Sequence, residues 1–310
     1  MKKCLLLGGA GFIGKNVALK LKEQGYDLTI YDMKVVGNYN DEELCGIKYY
    51  ERELFKDEEL EEVIKDQDVV LHFVSSVGPE NSMINPERCY YNDVAKTVEI
   101  LEIMRKNDVK KMIFISSGGT VYGTSDCESC KEDMMLNPKN HYGITKATIE
   151  KILHMYNEIY GMNNVILRVA NPYGVGQQSN KKIGAVTVFA EKILNDEEIS
   201  IWGDGENIRD YIYIDDVVKI ISRFVEQYVD ASNDIFNVGT GVGTSLNELI
   251  KKLEIKLDKK ANVKYETGRS IDAKRNVLNM ENTIDILGNV VDYSLDKGID
   301  EYMRIMKGRA

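Results

Sequence analysis

A tyrosine stands four residues ahead of a lysine in NHYGITKATIEK, residues 140–151, and this pair is the one in the chain best suited to chemistry. On a helix, side chains four apart project from the same face. A phenol titrates near pH 10 in water, and a cation within about 4–6 Å can lower that pKa by about 1–3. Tyr142 backed by Lys146 is therefore expected to take a proton from an alcohol near neutral pH. Hydroxyls at Ser116, Ser117 and Thr120 in SSGGTVYG, and a glycine-rich turn at residues 8–14, GGAGFIG, complete the set of groups that suggest catalysis.

The elements that must position these groups follow from the pattern around them. An apolar run at 3–7 precedes the glycines, and a helical pattern with Val17, Ala18 and Leu21 on one face follows. Strand, glycine turn and helix together bind a dinucleotide, because the glycines let the backbone approach a pyrophosphate at the positive end of the helix. A second strand at 28–31 ends at Asp32, whose carboxylate accepts hydrogen bonds from ribose hydroxyls and repels a 2′-phosphate, which favours NAD over NADP. Strands are expected at 47–50, 69–74 and 111–115, an acidic helix at 57–64 and an amphipathic helix at 92–106. A last strand at 236–239 precedes a helix at 246–253. His72 reads as a packed strand residue. The alternation is that of a doubly wound α/β fold of Rossmann type, with ligands beyond the carboxyl ends of the strands.

Composition narrows the partners. The 310 residues carry a formal net charge of −10, which argues against nucleic acid, since phosphate backbones are held by clustered Lys and Arg. No apolar run approaches the ~20 residues that span a bilayer, so a soluble, cytoplasmic protein is expected. Five scattered cysteines, including the C-x-x-C of Cys127 and Cys130, read as reduced thiols. His72, His141 and His154 are too scattered to suggest a metal centre.

Taken in order, GGAGFIG, Asp32, VVLHFVSS, SSGGTVYG and Y-x-x-x-K resemble the extended short-chain dehydrogenase/reductase superfamily, and within it the nucleotide-sugar epimerase and dehydratase branch that includes the UDP-glucose 4-epimerases. VILRVANP, ISIWGDG and RDYIYIDD in the second half are similar to the segments carrying the sugar-nucleotide site there. The resemblance implies NAD contacts at Gly8, Gly11, Phe12, Ile13, Gly14, Asp32, Leu54, Val74, Ser75, Asn92, Ser116, Tyr142 and Lys146. It implies substrate contacts at Asn171, Ser200, Trp202 and Arg209, and at Arg269 and Asp272 of the R-x-x-D element, with Asn276 against the sugar. An arginine suits phosphate because it donates bidentate pairs, and a tryptophan can offer a flat face to a pyrimidine.

The branch often has Ser or Thr where this chain has Gly118, so Ser117 is the expected donor to the reacting oxygen, with Thr120 second. The expected division is a NAD-binding unit at 1–170, joined by 206–240, and a nucleotide-sugar unit at 171–205 and 241–310. The expected activity is a nucleotide-sugar 4-epimerase, on UDP-glucose/UDP-galactose or the N-acetyl pair, working through a 4-keto intermediate as a homodimer. A 4-ketoreductase or a 4,6-dehydratase of the same branch is the alternative, and a non-catalytic NAD-binding protein comes last. The dehydratase needs acidic residues after the serine motif, where Gly118 and Gly119 stand.

Overall fold

The computed structural model describes residues 1–33, 43–56, 59–123, 127–177, 184–229, 233–268 and 273–308. Seven strands form a parallel sheet: β1 (Lys3–Leu7), β2 (Asp27–Asp32), β3 (Lys48–Glu51), β4 (Val69–His72), β5 (Met112–Ser117), β6 (Val165–Val169) and, after three strands elsewhere, β10 (Ile235–Val238). Their order is β10-β6-β5-β4-β1-β2-β3. The apolar runs are continuous because both faces of the sheet are covered. Leu6, Ile113 and Leu167 face the helices Phe12–Glu23 and Ile214–Glu226, packing with Val17, Leu21, Ile221 and Phe224. Leu5, Leu7, Phe114 and Ile166 face the helices Lys96–Lys106 and His141–Tyr160, packing with Ile100, Leu101, Ile149 and Leu153.

After β1 the chain steps outward through β2 and β3, then returns to place β4 on the other side of β1. The strand order therefore reverses between β1 and β4, and a crevice opens there beyond their carboxyl ends. Gly8 follows β1 and Phe73 follows β4 at that edge. The doubly wound α/β architecture expected from the alternation is the one observed.

The remaining strands build a smaller part over the same edge. β7 (Asn171–Tyr173) and β11 (Gly243–Ser245) flank β9 (Ile208–Tyr213), which also pairs with β13 (Arg275–Asn276), while β8 (Glu198–Trp202) pairs with β12 (Asn262–Glu266). Residues 206–240 are consequently split. β9 joins the small sheet, whereas the helix Ile214–Glu226 and β10 pack on or within the large one.

The helix expected at 92–106 also departs from its reading. Residues Cys89–Ala95 form a π-helix that passes directly into the α-helix Lys96–Lys106. Wider π turns change which side chains share a face, so 3.6-residue periodicity misassigns positions in this segment.

Candidate active site

The glycine turn is built for close approach. Gly8 has φ +79°, and a Cβ on Gly14 would lie 2.4 Å from the Gly8 carbonyl oxygen, so neither position tolerates a side chain. Gly11 caps the helix Phe12–Glu23 with its backbone alone. The first N–H groups of that helix are free to meet an anion, and its dipole favours one. Asp32 closes the other side, its Oδ2 accepting from Ala10 N at 2.9 Å. These residues fit the pyrophosphate and adenosine ribose of a dinucleotide.

Tyr142 begins the helix His141–Tyr160, whose N-cap Asn140 accepts from Gly143 N at 2.8 Å. One turn on, Lys146 is buried, donates to the Ile115 carbonyl at 2.9 Å, and holds Nζ 5.6 Å from the Tyr142 ring centre and 4.5 Å from that of Phe114. Its pKa is lowered to about 8 by burial, which Asp93 and Glu150 oppose.

The expectation that Lys146 brings the Tyr142 phenol near neutrality is not met by the chain's own groups. Among the described residues, burial and the Asp93 carboxylate push the phenol up to about 12, and a hydrogen bond with Ser117 pulls it down. A further positive charge beside Tyr142 would favour its ionisation.

One cavity of about 520 Å³ joins the two ends of the site. Gly8, Gly11, Phe12, Ile13 and Gly14 line it at one end, and Ser116, Ser117 and Tyr142 line it further along. Asn171 and Arg209, from β7 and β9, line it on the side of the small sheet. Asn171 Nδ2 donates to the Asp210 carbonyl at 2.8 Å, so its position is fixed. Asp210 itself is buried. It accepts from Thr240 N and Oγ1, Gly241 N and Leu278 N at 2.7–3.3 Å and ties three segments together.

Other expected residues lie elsewhere. Thr120 Oγ1 turns back to the Ser117 carbonyl at 3.5 Å and does not line the cavity, which leaves Ser117 as the hydroxyl on Tyr142. Leu54 is core, packed with Leu5 and Tyr31. Val74 lies against Gly8, outside the lining. Ser75 donates to Asp93 Oδ2 at 2.9 Å, and Asn92 does not line the cavity. Ser200 and Trp202 alternate with the buried Ile199 and Ile201, so both face outward from β8, away from the cavity lining. Trp202 is 43% exposed.

Asn276 is 1% exposed and donates to the Gly118 carbonyl at 2.9 Å. It clamps the serine loop from behind instead of facing the cavity. Arg269 and Asp272 lie outside the described residues. In the C-x-x-C, Cys130 is buried with its backbone bridged to Leu278.

Three buried groups escaped the sequence reading. Glu150, one turn beyond Lys146, accepts from Ser116 Oγ and pairs with Arg168 at 2.7 Å, joining the tyrosine helix to β5 and β6. The i+4 spacing from Lys146 was its signal. Tyr211 is 4% exposed and lines the cavity with its hydroxyl unpartnered among the described residues. Asp93, beside Asn92, is the third, and the π-helix hid it.

A family model described as "NAD dependent epimerase/dehydratase family" matches residues 4–239. A Methanocaldococcus jannaschii protein with a provisional UDP-glucose 4-epimerase name is 37% identical over 217 residues, 69% of this chain and 70% of its own length. An Escherichia coli dTDP-4-dehydro-6-deoxyglucose reductase is 33% identical over 221 residues, again 69% and 70%. A crystal structure of UDP-glucose 4-epimerase from Thermotoga maritima with UDP-glucose superposes with TM-score 0.91 at 32% identity, covering 99% of both chains.

Proposed function

Because this chain belongs to the NAD-dependent epimerase/dehydratase family, we propose that it is an NAD-dependent nucleotide-sugar 4-epimerase, inverting C4 of a UDP-linked hexose through a 4-keto sugar. The observation that carries this reading is the single cavity that joins the glycine turn, the Ser117–Tyr142 pair and the Asn171–Arg209 wall. The glycine turn, the exposed N–H groups of the helix Phe12–Glu23 and Asp32 would hold the dinucleotide. NAD⁺ held there would supply the acceptor, and then the donor, for the C4 hydride.

The chain's own residues do the remainder. Tyr142 takes the proton of the sugar 4-hydroxyl and later returns one to the same oxygen. Ser117 donates to that oxygen, and its bond to Tyr142 places the two groups on one atom. Arg209 and Asn171 hold the diphosphate while the hexose turns between its two faces. Fixing the nucleotide makes the return transfer effectively intramolecular, which is where large rate gains arise. Gly118 and Gly119 offer no acid for loss of water at C5 and C6, which supports epimerisation over dehydration.

We place the protein in the cytoplasm, and no described helix is long and apolar enough to cross a membrane. A homodimer is proposed through the helix His141–Tyr160 and the segment Cys89–Lys106. Ile144, Met155, Ile159, Tyr160 and Tyr91 are exposed on these elements.

The test is proton NMR of the purified protein with UDP-glucose or UDP-N-acetylglucosamine and no added cofactor. Appearance of the galacto-configured nucleotide sugar supports the reading. Loss of water, or turnover only of 4-keto sugars with added reduced nucleotide, refutes it in favour of a dehydratase or a reductase.

A further inference from the structure

Asp93 is 6% exposed and sits in the π-helix Cys89–Ala95, so its carboxylate has been taken out of water at a cost that demands compensation. Its Oδ1 accepts from Ser76 N at 2.8 Å and its Oδ2 from Ser75 Oγ at 2.9 Å. Both donors are neutral. An amide or hydroxyl side chain could hold the same turn, so the negative charge is not explained by these bonds alone.

Its surroundings show where that charge acts. The π-helix is fastened to the start of the tyrosine helix by Tyr90 Oη with His141 Nδ1 at 2.8 Å, and by Cys89 with Thr145. Asp93, one turn further along, lies close enough for its charge to favour the protonated forms of Tyr142 and Lys146, against the burial that lowers Lys146. The other charges nearby are committed. Glu150 pairs with Arg168, and His72 is buried and kept neutral, its Nε2 3.2 Å from Thr97 Oγ1. The turn that Asp93 fixes also lies between Phe73 and Pro79, both of which line the cavity.

We propose that Asp93 is a positioning residue for the oxidised cofactor: it fixes the Ser75–Ser76 turn and supplies the negative charge that favours a cationic nicotinamide over the neutral reduced ring. This rests on the NAD reading above. With Tyr142 protonated, Asp93 and Glu150 balance Lys146 and Arg168. Entry of a cationic ring adds one positive charge, and loss of the Tyr142 proton restores neutrality. Asp93 thus keeps the phenol from ionising until that ring is present.

The test is a competition read without turnover. Purified protein is equilibrated with equal NAD⁺ and NADH, freed of unbound nucleotide and denatured, and the released nucleotides are quantified. Asp93→Asn and Asp93→Ser, each checked for folding by thermal melting, both remove the charge. Either one, once folded, is expected to lower the bound NAD⁺/NADH ratio about tenfold or more. Glu99→Gln, which removes an exposed carboxylate paired with Lys96 on the helix that follows, is expected to leave the ratio unchanged.

An unchanged ratio in the folded Asp93 variants, or an equal shift in Glu99→Gln, overturns the assignment. So does failure of both Asp93 variants to fold, which would make the carboxylate structural. A wild-type chain that retains neither nucleotide refutes the NAD reading itself, a separate outcome.

Discussion

The Tyr142 hydroxyl meets Ser117 and lines the cavity, so removing it deletes a proton-transfer group without opening the core. Tyr142→Phe is expected to lower kcat by about 10² or more with KM nearly unchanged, as measured by initial rates. Equal rates would remove Tyr142 from the chemistry. Tyr211 gives the opposite kind of test. Its buried hydroxyl has no partner among the described residues, so Tyr211→Phe removes a desolvated orphan and is expected to raise Tm slightly. If that hydroxyl waits for substrate, KM rises in the same variant. A lower Tm would show that the group is already satisfied in the protein.

At this scale the sequence was readable where spacing determines geometry, as for Tyr142 with Lys146 and for Asp32 after the glycines. It was unreadable where burial decides. Nothing in Y-x-x-x-K says that desolvation and Asp93 outweigh the lysine, and nothing in the strand pattern says that Asn276 points into the protein.

Elements explain why one glycine of the serine loop is fixed and the other is not. A Cβ on Gly118 would lie 2.6 Å from Leu278 Cδ1 and 3.0 Å from the Arg168 carbonyl oxygen. On Gly119 it would lie 3.7 Å from Asn171 Oδ1 and 4.0 Å from Ser117 Oγ, which is ordinary contact. Gly118→Ser is therefore expected to cost roughly 1–3 kcal/mol in urea unfolding, as overpacking does. Gly119→Ser should be nearly neutral, and equal costs would contradict this geometry.

Strand β4 carries a second prediction, through His72 at its end. Burial and then Lys146 hold its pKa down to about 3, against an ordinary 6.5. Below that ordinary value the unfolded chain binds a proton that the folded chain refuses. The stability tied to His72 is complete above 6.5 and is lost as pH falls toward about 3. By pH ~5 the loss is about 2 kcal/mol. Urea midpoints should fall more steeply between about pH 6.5 and 5 in the wild type than in His72→Gln. Parallel slopes would mean that His72 is protonated in the fold.

For the whole molecule, the large sheet was legible because continuous apolar runs, each ending in a turn signal, leave few alternatives to a parallel sheet covered on both faces. The smaller part was less so. Its strands are as short as the two residues Arg275–Asn276, and their order depends on contacts between distant segments. That is why β9 was expected with the large sheet. Ile144, Met155 and Ile159 are exposed along one face of the helix His141–Tyr160. If this face closes a homodimer, Ile159→Glu should give a monomer by analytical ultracentrifugation. A monomeric wild type would assign the face no such role.

In the proposed reaction C4 gives up a hydride and receives the same one back while Tyr142 handles the proton. The most direct measurement uses UDP-glucose and UDP-N-acetylglucosamine deuterated at C4, incubated with the protein and no added nucleotide, with the products read by NMR and mass spectrometry. Return of the same hydride gives a C4-inverted sugar that keeps its deuterium. An inverted sugar carrying protium at C4 would mean that the hydrogen left as a proton to solvent, and would contradict it.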